Sequence, residues 1–145
     1  MESINQIQDA IIEEFSFFGD WLEKYEYIIE LGKDLPLIDE QYKTEDYLVR
    51  GCQSKVWLHA NLEDGKVVFK ADSDTVITKG IIALLIRVLS GHSPQEILDA
   101  DLYFLDKIGL KEHLSPTRAN GLVSMLKQMK LYALAFQKQL TGKNE

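Results

Sequence analysis

Lys55-Val56-Trp57-Leu58-His59-Ala60-Asn61-Leu62, then Glu63-Asp64-Gly65-Lys66, then Val67-Val68-Phe69-Lys70-Ala71 is the stretch that sets the fold class. Val56, Leu58, Ala60 and Leu62 face one way, and Trp57, His59 and Asn61 the other, which is the period of two that a strand imposes. Asp64-Gly65 is a two-residue hairpin turn, because both central residues of a type I′ turn need φ > 0. The returning run sets Val67, Phe69 and Ala71 on one face. Upstream, Tyr47-Leu48-Val49 reads as a further short strand, so a small antiparallel three-stranded sheet is expected. A sheet of that size needs cover on one face. The rest of the chain supplies helices for it, and the fold class is α+β.

Ile4, Ile7, Ile11, Ile12 and Phe15 recur at helical spacing over about 3–17. Asp20 and Glu23 mark the start of a second helix carrying Trp21, Leu22, Tyr25, Ile28 and Ile29, which stops near Gly32. Residues 34–44 read as a long connection. Asp72-Ser73-Asp74 is a cluster of helix-starting residues, with Asp74 as the cap. The helix after it, about 75–89, is apolar nearly all round, from Val76 and Ile77 to Leu89, and belongs in the middle of the fold. Ser93-Pro94 and Ser115-Pro116 each pair a cap with a proline at the first helical position, where its missing amide costs nothing. Leu102 to Ile108 is a short helical piece. The last helix, about 116–140, is expected to bury Leu122, Met125, Leu126, Met129, Leu131, Leu134 and Leu140.

The chain has 145 residues, 46% of them hydrophobic, and a formal net charge of −7. One domain over 1–145 is expected. The acidic balance argues against nucleic acid, which needs clustered Lys and Arg, and against an anionic membrane surface. The longest apolar run, Gly80 to Leu85, is soon cut by Arg87 and is too short to span a bilayer. Met1-Glu2-Ser3-Ile4 lacks the basic-then-apolar pattern of a signal peptide. With a single cysteine, these features indicate a reducing, cytoplasmic setting.

That cysteine is Cys52, in Arg50-Gly51-Cys52-Gln53-Ser54-Lys55-Val56-Trp57. A lone thiol neither staples a fold nor completes a thiolate metal site. It acts as a nucleophile or sulfur carrier, or it is a small buried hydrophobe. Its loop-to-strand position presents a side chain on a fixed support. A thiol reacts as its thiolate, which nearby positive charge favours. Arg50 is adjacent, and Arg118 lies in the first turn of the last helix, where the helix dipole disfavours a cation. Arg118 is therefore a candidate site residue, with a surface ion pair as its other reading. Gly121 costs the last helix about 1 kcal/mol relative to Ala and suggests close packing against a neighbour. His113 is close enough in sequence to share a site with Arg118. His59, His92 and His113 lack ligand spacing, so no metal site is expected.

Four blocks together resemble the SufE/CsdE family of sulfur-acceptor partners of cysteine desulfurases: Gly51 to Trp57, Tyr25 to Gly32, Asp72-Ser73-Asp74 with Ile77 and Lys79-Gly80, and His113 to Leu122. They occur in the family's order and cover nearly the whole chain. The resemblance implies an α+β fold like that of the IscU scaffold. It implies that Cys52 takes a persulfide sulfur from a pyridoxal-phosphate (PLP)-dependent cysteine desulfurase of the SufS or CsdA type, stimulates that enzyme, and passes sulfur on to an iron–sulfur scaffold. By position, Asp74 and Arg118 match family residues near the thiol loop, which packs inward in the free protein and opens on the partner. The chain would be a monomer or weak homodimer, a sulfur-transfer protein rather than an enzyme, with no cofactor of its own. Three rivals stand beside this reading. A cluster-building scaffold needs three cysteines, and a cysteine hydrolase needs a histidine base on the thiol. An interaction module would carry Cys52 without transferring sulfur.

Overall fold

The computed structural model describes residues 2–142; Met1, part of the N-terminal reading, and residues 143–145 of the expected domain lie outside the described residues. Helix α1, Ile4–Ser16, is closed by a reciprocal box in which Ser3 Oγ accepts from the Gln6 amide while the Gln6 side chain accepts from the Ser3 amide. Its buried stripe is Ile4, Gln8, Ile11 and Phe15. Helix α2, Trp21–Leu31, starts at Asp20, whose carboxylate accepts from the Glu23 amide. Three 3-10 turns follow, at Gly32–Asp34, Glu40–Tyr42 and Glu45–Tyr47.

The hairpin forms at the expected turn: β1, Val56–Glu63, pairs antiparallel with β2, Lys66–Ser73, from Val56↔Ser73 to Glu63↔Lys66. Asp64 and Gly65 both have positive φ, at 52° and 78°. The sheet has two strands rather than three. The Tyr47-Leu48-Val49 segment contributes a single bridge, Leu48↔Trp57, and one bond from the Val49 amide to the Val56 carbonyl at 2.8 Å. The 3-10 turn at Glu45–Tyr47 takes up the first residue of this segment, and the chain turns again at Gly51, leaving two residues to pair. The outer edge of β2 is covered by short pairings, Leu37 alongside Ala71 and His92 alongside Val67. Covered edges leave few free backbone groups to recruit another chain.

Helix α3, Val76–Leu89, runs through the centre, with Ile77, Ile81, Ile82, Leu84, Leu85, Val88 and Leu89 buried. Each such side chain contributes roughly 1.5–3 kcal/mol by leaving water. Val76 is the exception to its apolar surround, being 61% exposed at the helix start. Helix α2 crosses α3 so closely that a β-carbon on Gly80 would collide with the Ile28 carbonyl.

The short helices α4, Pro94–Asp99, α5, Phe104–Lys107, and α6, Leu110–His113, lead into α7, Pro116–Thr141. α7 buries Leu122, Met125, Met129 and Ala133, and leaves Leu131, Leu134 and Leu140 exposed. Leu131 and Leu134 fall off the 3.6-residue stripe that begins at Leu122, and Ala133 takes the inward place; Leu140 is on the stripe but stands in the last turn of the helix. Tyr132 anchors α7 to the sheet by donating to the Leu58 carbonyl at 3.0 Å. No described helix is long and apolar enough to cross a membrane.

Candidate functional site

Cys52 is carried on the bend between Val49 and β1, and the bend is fixed at both ends. On one side Gly51 has φ 94° and lies against Ser124 of α7, where any β-carbon would collide with the serine hydroxyl. Only glycine meets both conditions without strain. On the other side Asp74 clamps Lys55: its carboxylate accepts from the Lys55 amide at 3.1 Å, and its own amide donates to the Lys55 carbonyl at 3.2 Å. Asp74 is thus not the helix cap expected of it. The cap position of α3 is Thr75, which makes no side-chain capping bond. The Thr75 hydroxyl instead lies 3.2 Å from the Ser54 hydroxyl and 2.7 Å from that of Thr78. Ser73 Oγ donates to the Lys55 carbonyl at 2.8 Å. The cluster read as a helix start therefore holds the C-terminal end of the cysteine loop.

Asp72 is tied elsewhere, to Lys43 at 2.5 Å and Lys79 at 3.3 Å. Burial alone would raise its carboxyl pKa. The bonds from Lys43, the Ser73 amide and Lys79 outweigh that and hold it below the ordinary value.

The thiol is half-buried and donates to the Gly121 carbonyl at 3.5 Å. Gly121 is the close-packing glycine of the last helix, and its neighbour is Cys52: an added β-carbon would stand 3.5 Å from Sγ. Beside the sulfur is a cavity of about 60 Å³, lined by Gln53 and Ser54 from the loop, Thr78 and Ile81 from α3, and Thr117, Arg118, Gly121 and Met125 from α7. Cys52 and Arg118, far apart in sequence, share this cavity; Asp74 lies outside its lining and acts on the loop through Lys55. Burial pushes the Cys52 thiol above its ordinary pKa, with no charge among the described residues offsetting it.

Among the described residues Arg118 has no ion pair. Its Nη1 donates to the Tyr25 hydroxyl at 3.3 Å. Arg50 lines a larger groove across the loop with Glu45, Asp46 and Lys127. No histidine touches the sulfur. His59 is stacked on Tyr42, His92 is buried with its Nε2 3.0 Å from the Glu2 carbonyl, and His113 is stacked on Trp21. His113 therefore does not share the Arg118 cavity. The contributions of Tyr25, Thr78, Ile81 and Met125 were not visible as site features in the sequence. No described group of His, Cys, Asp or Glu is arranged to hold a metal ion. The arrangement offers one shielded thiol, a small adjoining space and one nearby cation.

A family model described as "SufE: Fe-S metabolism associated domain" matches residues 9–133. The chain is 44% identical over 127 residues to a SufE-like protein of Rhizobium meliloti, covering 84% of this chain and 91% of that protein. It is 41% identical over 127 residues to a SufE-like protein of Synechocystis, covering 88% and 80%. It is 44% identical over 125 residues to SufE-like protein 1, chloroplastic/mitochondrial, of Arabidopsis thaliana, covering 86% of this chain and 34% of the plant protein. The solution structure of a hypothetical protein from Thermus thermophilus superposes with a TM-score of 0.74 at 26% identity, covering 93% of this chain and 96% of that one. The chain belongs to the SufE family, and its role lies in iron–sulfur metabolism.

Proposed function

We propose that Cys52 accepts a sulfane sulfur from the persulfide of a PLP-dependent cysteine desulfurase of the SufS or CsdA type and hands it to a downstream iron–sulfur scaffold. The Cys52 thiolate attacks the outer sulfur of the donor persulfide. A sulfur–sulfur bond forms on Cys52, the donor's sulfur–sulfur bond breaks, and the electron pair leaves on the donor cysteine. The proton given up by Cys52 returns to the departing thiolate through solvent; Cys52 is oxidised to the persulfide as the donor is reduced to the thiol, so no outside oxidant or reductant is needed. Clearing the donor persulfide frees the desulfurase for another turnover, which is the stimulation. The protein acts as a sulfur carrier and activator in the cytoplasm, with no cofactor of its own.

The observation that carries this reading is the sole thiol of the chain, half-buried on a fixed loop beside its own small cavity. Transfer between two cysteines needs a thiolate and access, and no base, metal or second cysteine. The raised thiol pKa keeps Cys52 protonated in the free protein, so docking has to expose and ionise it. The test is desulfurase turnover with wild type and with Cys52→Ser. Wild type stimulates and the serine variant does not; stimulation retained by the serine variant would identify an interaction module that moves no sulfur.

A further inference from the structure

Of the described residues that line the thiol cavity, Arg118 alone is charged. Thr117, Arg118 and Gly121 fall on one face of α7, because residues three and four apart are neighbours on a helix. The guanidinium is rooted one turn from the carbonyl on which the sulfur rests. A cation brought beside the sulfur would favour the thiolate, yet this one is engaged elsewhere. Arg118 Nη1 donates to Tyr25 Oη at 3.3 Å, while the thiol donates to Gly121.

Tyr25 is itself held in place. Its ring stands edge-on to Trp21 at 6.5 Å, Trp21 stacks on His113 at 4.6 Å, and His113 Nδ1 lies 2.9 Å from the Gly109 carbonyl. Side chains from α2 and α6 thus fix one oxygen opposite a cation on α7. Of the other charges near the loop, Arg50 faces the larger groove, the Asp74 carboxylate is bound to the Lys55 amide, and the Lys55 side chain is exposed. The residues that α3 turns toward the cavity, Thr78 and Ile81, are neutral.

We propose that Tyr25 is a positioning residue that parks Arg118 off the Cys52 sulfur in the free protein, and that breaking the Tyr25–Arg118 bond delivers the guanidinium to the ionising thiol. The purpose assigned to this latch rests on Cys52 being a sulfur acceptor. The latch itself is a property of the free protein and is tested without a desulfurase.

The experiment is the rate of Cys52 alkylation by iodoacetamide, followed from neutral to alkaline pH, in wild type, Tyr25→Phe, Arg118→Gln and the double variant. Tyr25→Phe removes one oxygen and keeps the ring against Trp21. A single hydrogen bond of ordinary net strength corresponds to about a two- to tenfold gain in rate near neutral pH, with the profile moved to lower pH. In the Arg118→Gln background the same tyrosine change should give no gain. An unchanged or slower profile for Tyr25→Phe, or an equal gain without Arg118, overturns the latch. Sulfur uptake by wild type is read separately by mass, so loss of the latch and loss of the carrier reading are told apart.

Discussion

Cys52 and Gly121 meet across 69 residues of sequence: the thiol donates to the glycine carbonyl at 3.5 Å, and the missing glycine side chain leaves room beside the sulfur. A β-carbon there would make ordinary contact with Sγ rather than a clash. Gly121→Ala should therefore fold, and should gain up to about 1 kcal/mol from helix propensity. The added methyl also fills part of a cavity of about 60 Å³. The expected outcome is a higher urea midpoint together with severalfold slower sulfur uptake. Faster uptake, or a loss of stability, would contradict this account of the cavity.

Gly51 is set by two conditions, a φ of 94° and the Ser124 hydroxyl beside it. Gly51→Ala should cost about 1–2 kcal/mol from backbone conformation alone, with the serine collision added. Ser124→Ala in the same chain removes the hydroxyl but not the backbone strain. Denaturation should show the double variant recovering part of the loss. Full recovery would mean that the positive φ carries no cost; none would mean that Ser124 is not the obstacle.

Asp74 holds the Lys55 amide from an exposed position, where water can replace it. Asp74→Ala should cost less than about 1 kcal/mol. The reciprocal bond from the residue 74 amide to the Lys55 carbonyl remains. What changes is the tether on the C-terminal end of the cysteine loop, so alkylation of Cys52 should quicken a few-fold with little shift in melting temperature. Unaltered alkylation would show that this clamp does not restrain the thiol.

Much of this arrangement was legible locally and little of it at long range. Asp64-Gly65 between alternating strands fixed the hairpin because turn chemistry acts over a few residues. Ser115-Pro116 marked the start of α7 for the same reason. Tyr47-Leu48-Val49 looked like a strand by composition, but the 3-10 turn that ends on Tyr47 and the bend at Gly51 left only one bridge. Four-residue α6 has no period to detect. Asp74 looked like a cap because aspartate suits both helix starts and exposed amides, and only the fold decides which amide is near. Gly121 announced itself as a helix-weakening residue without naming Cys52 as its neighbour. Tyr25 read as packing because its bond to Arg118 spans 93 residues.

The raised pKa of Cys52 has a consequence for stability. A group that holds its proton more tightly when folded stabilises the fold below its unfolded pKa, about 8.5 for a cysteine. That contribution is lost as pH rises through the folded value. Wild type should therefore lose stability across this alkaline range relative to Cys52→Ser, whose hydroxyl does not titrate there. Tyr27 and Tyr132, whose pKa values are also raised by burial, affect both proteins alike, so the difference isolates residue 52. Parallel stability curves would remove the argument that the resting thiol is kept neutral.

The most direct test of the central claim is the intact mass of the protein after incubation with a cysteine desulfurase and free cysteine, with the modified peptide then mapped. The account predicts a gain of one sulfur atom on the peptide containing Cys52, reversed by a reductant and absent in Cys52→Ser. An unchanged mass with an active donor in excess, or a sulfur gain that persists in the serine variant, would contradict it.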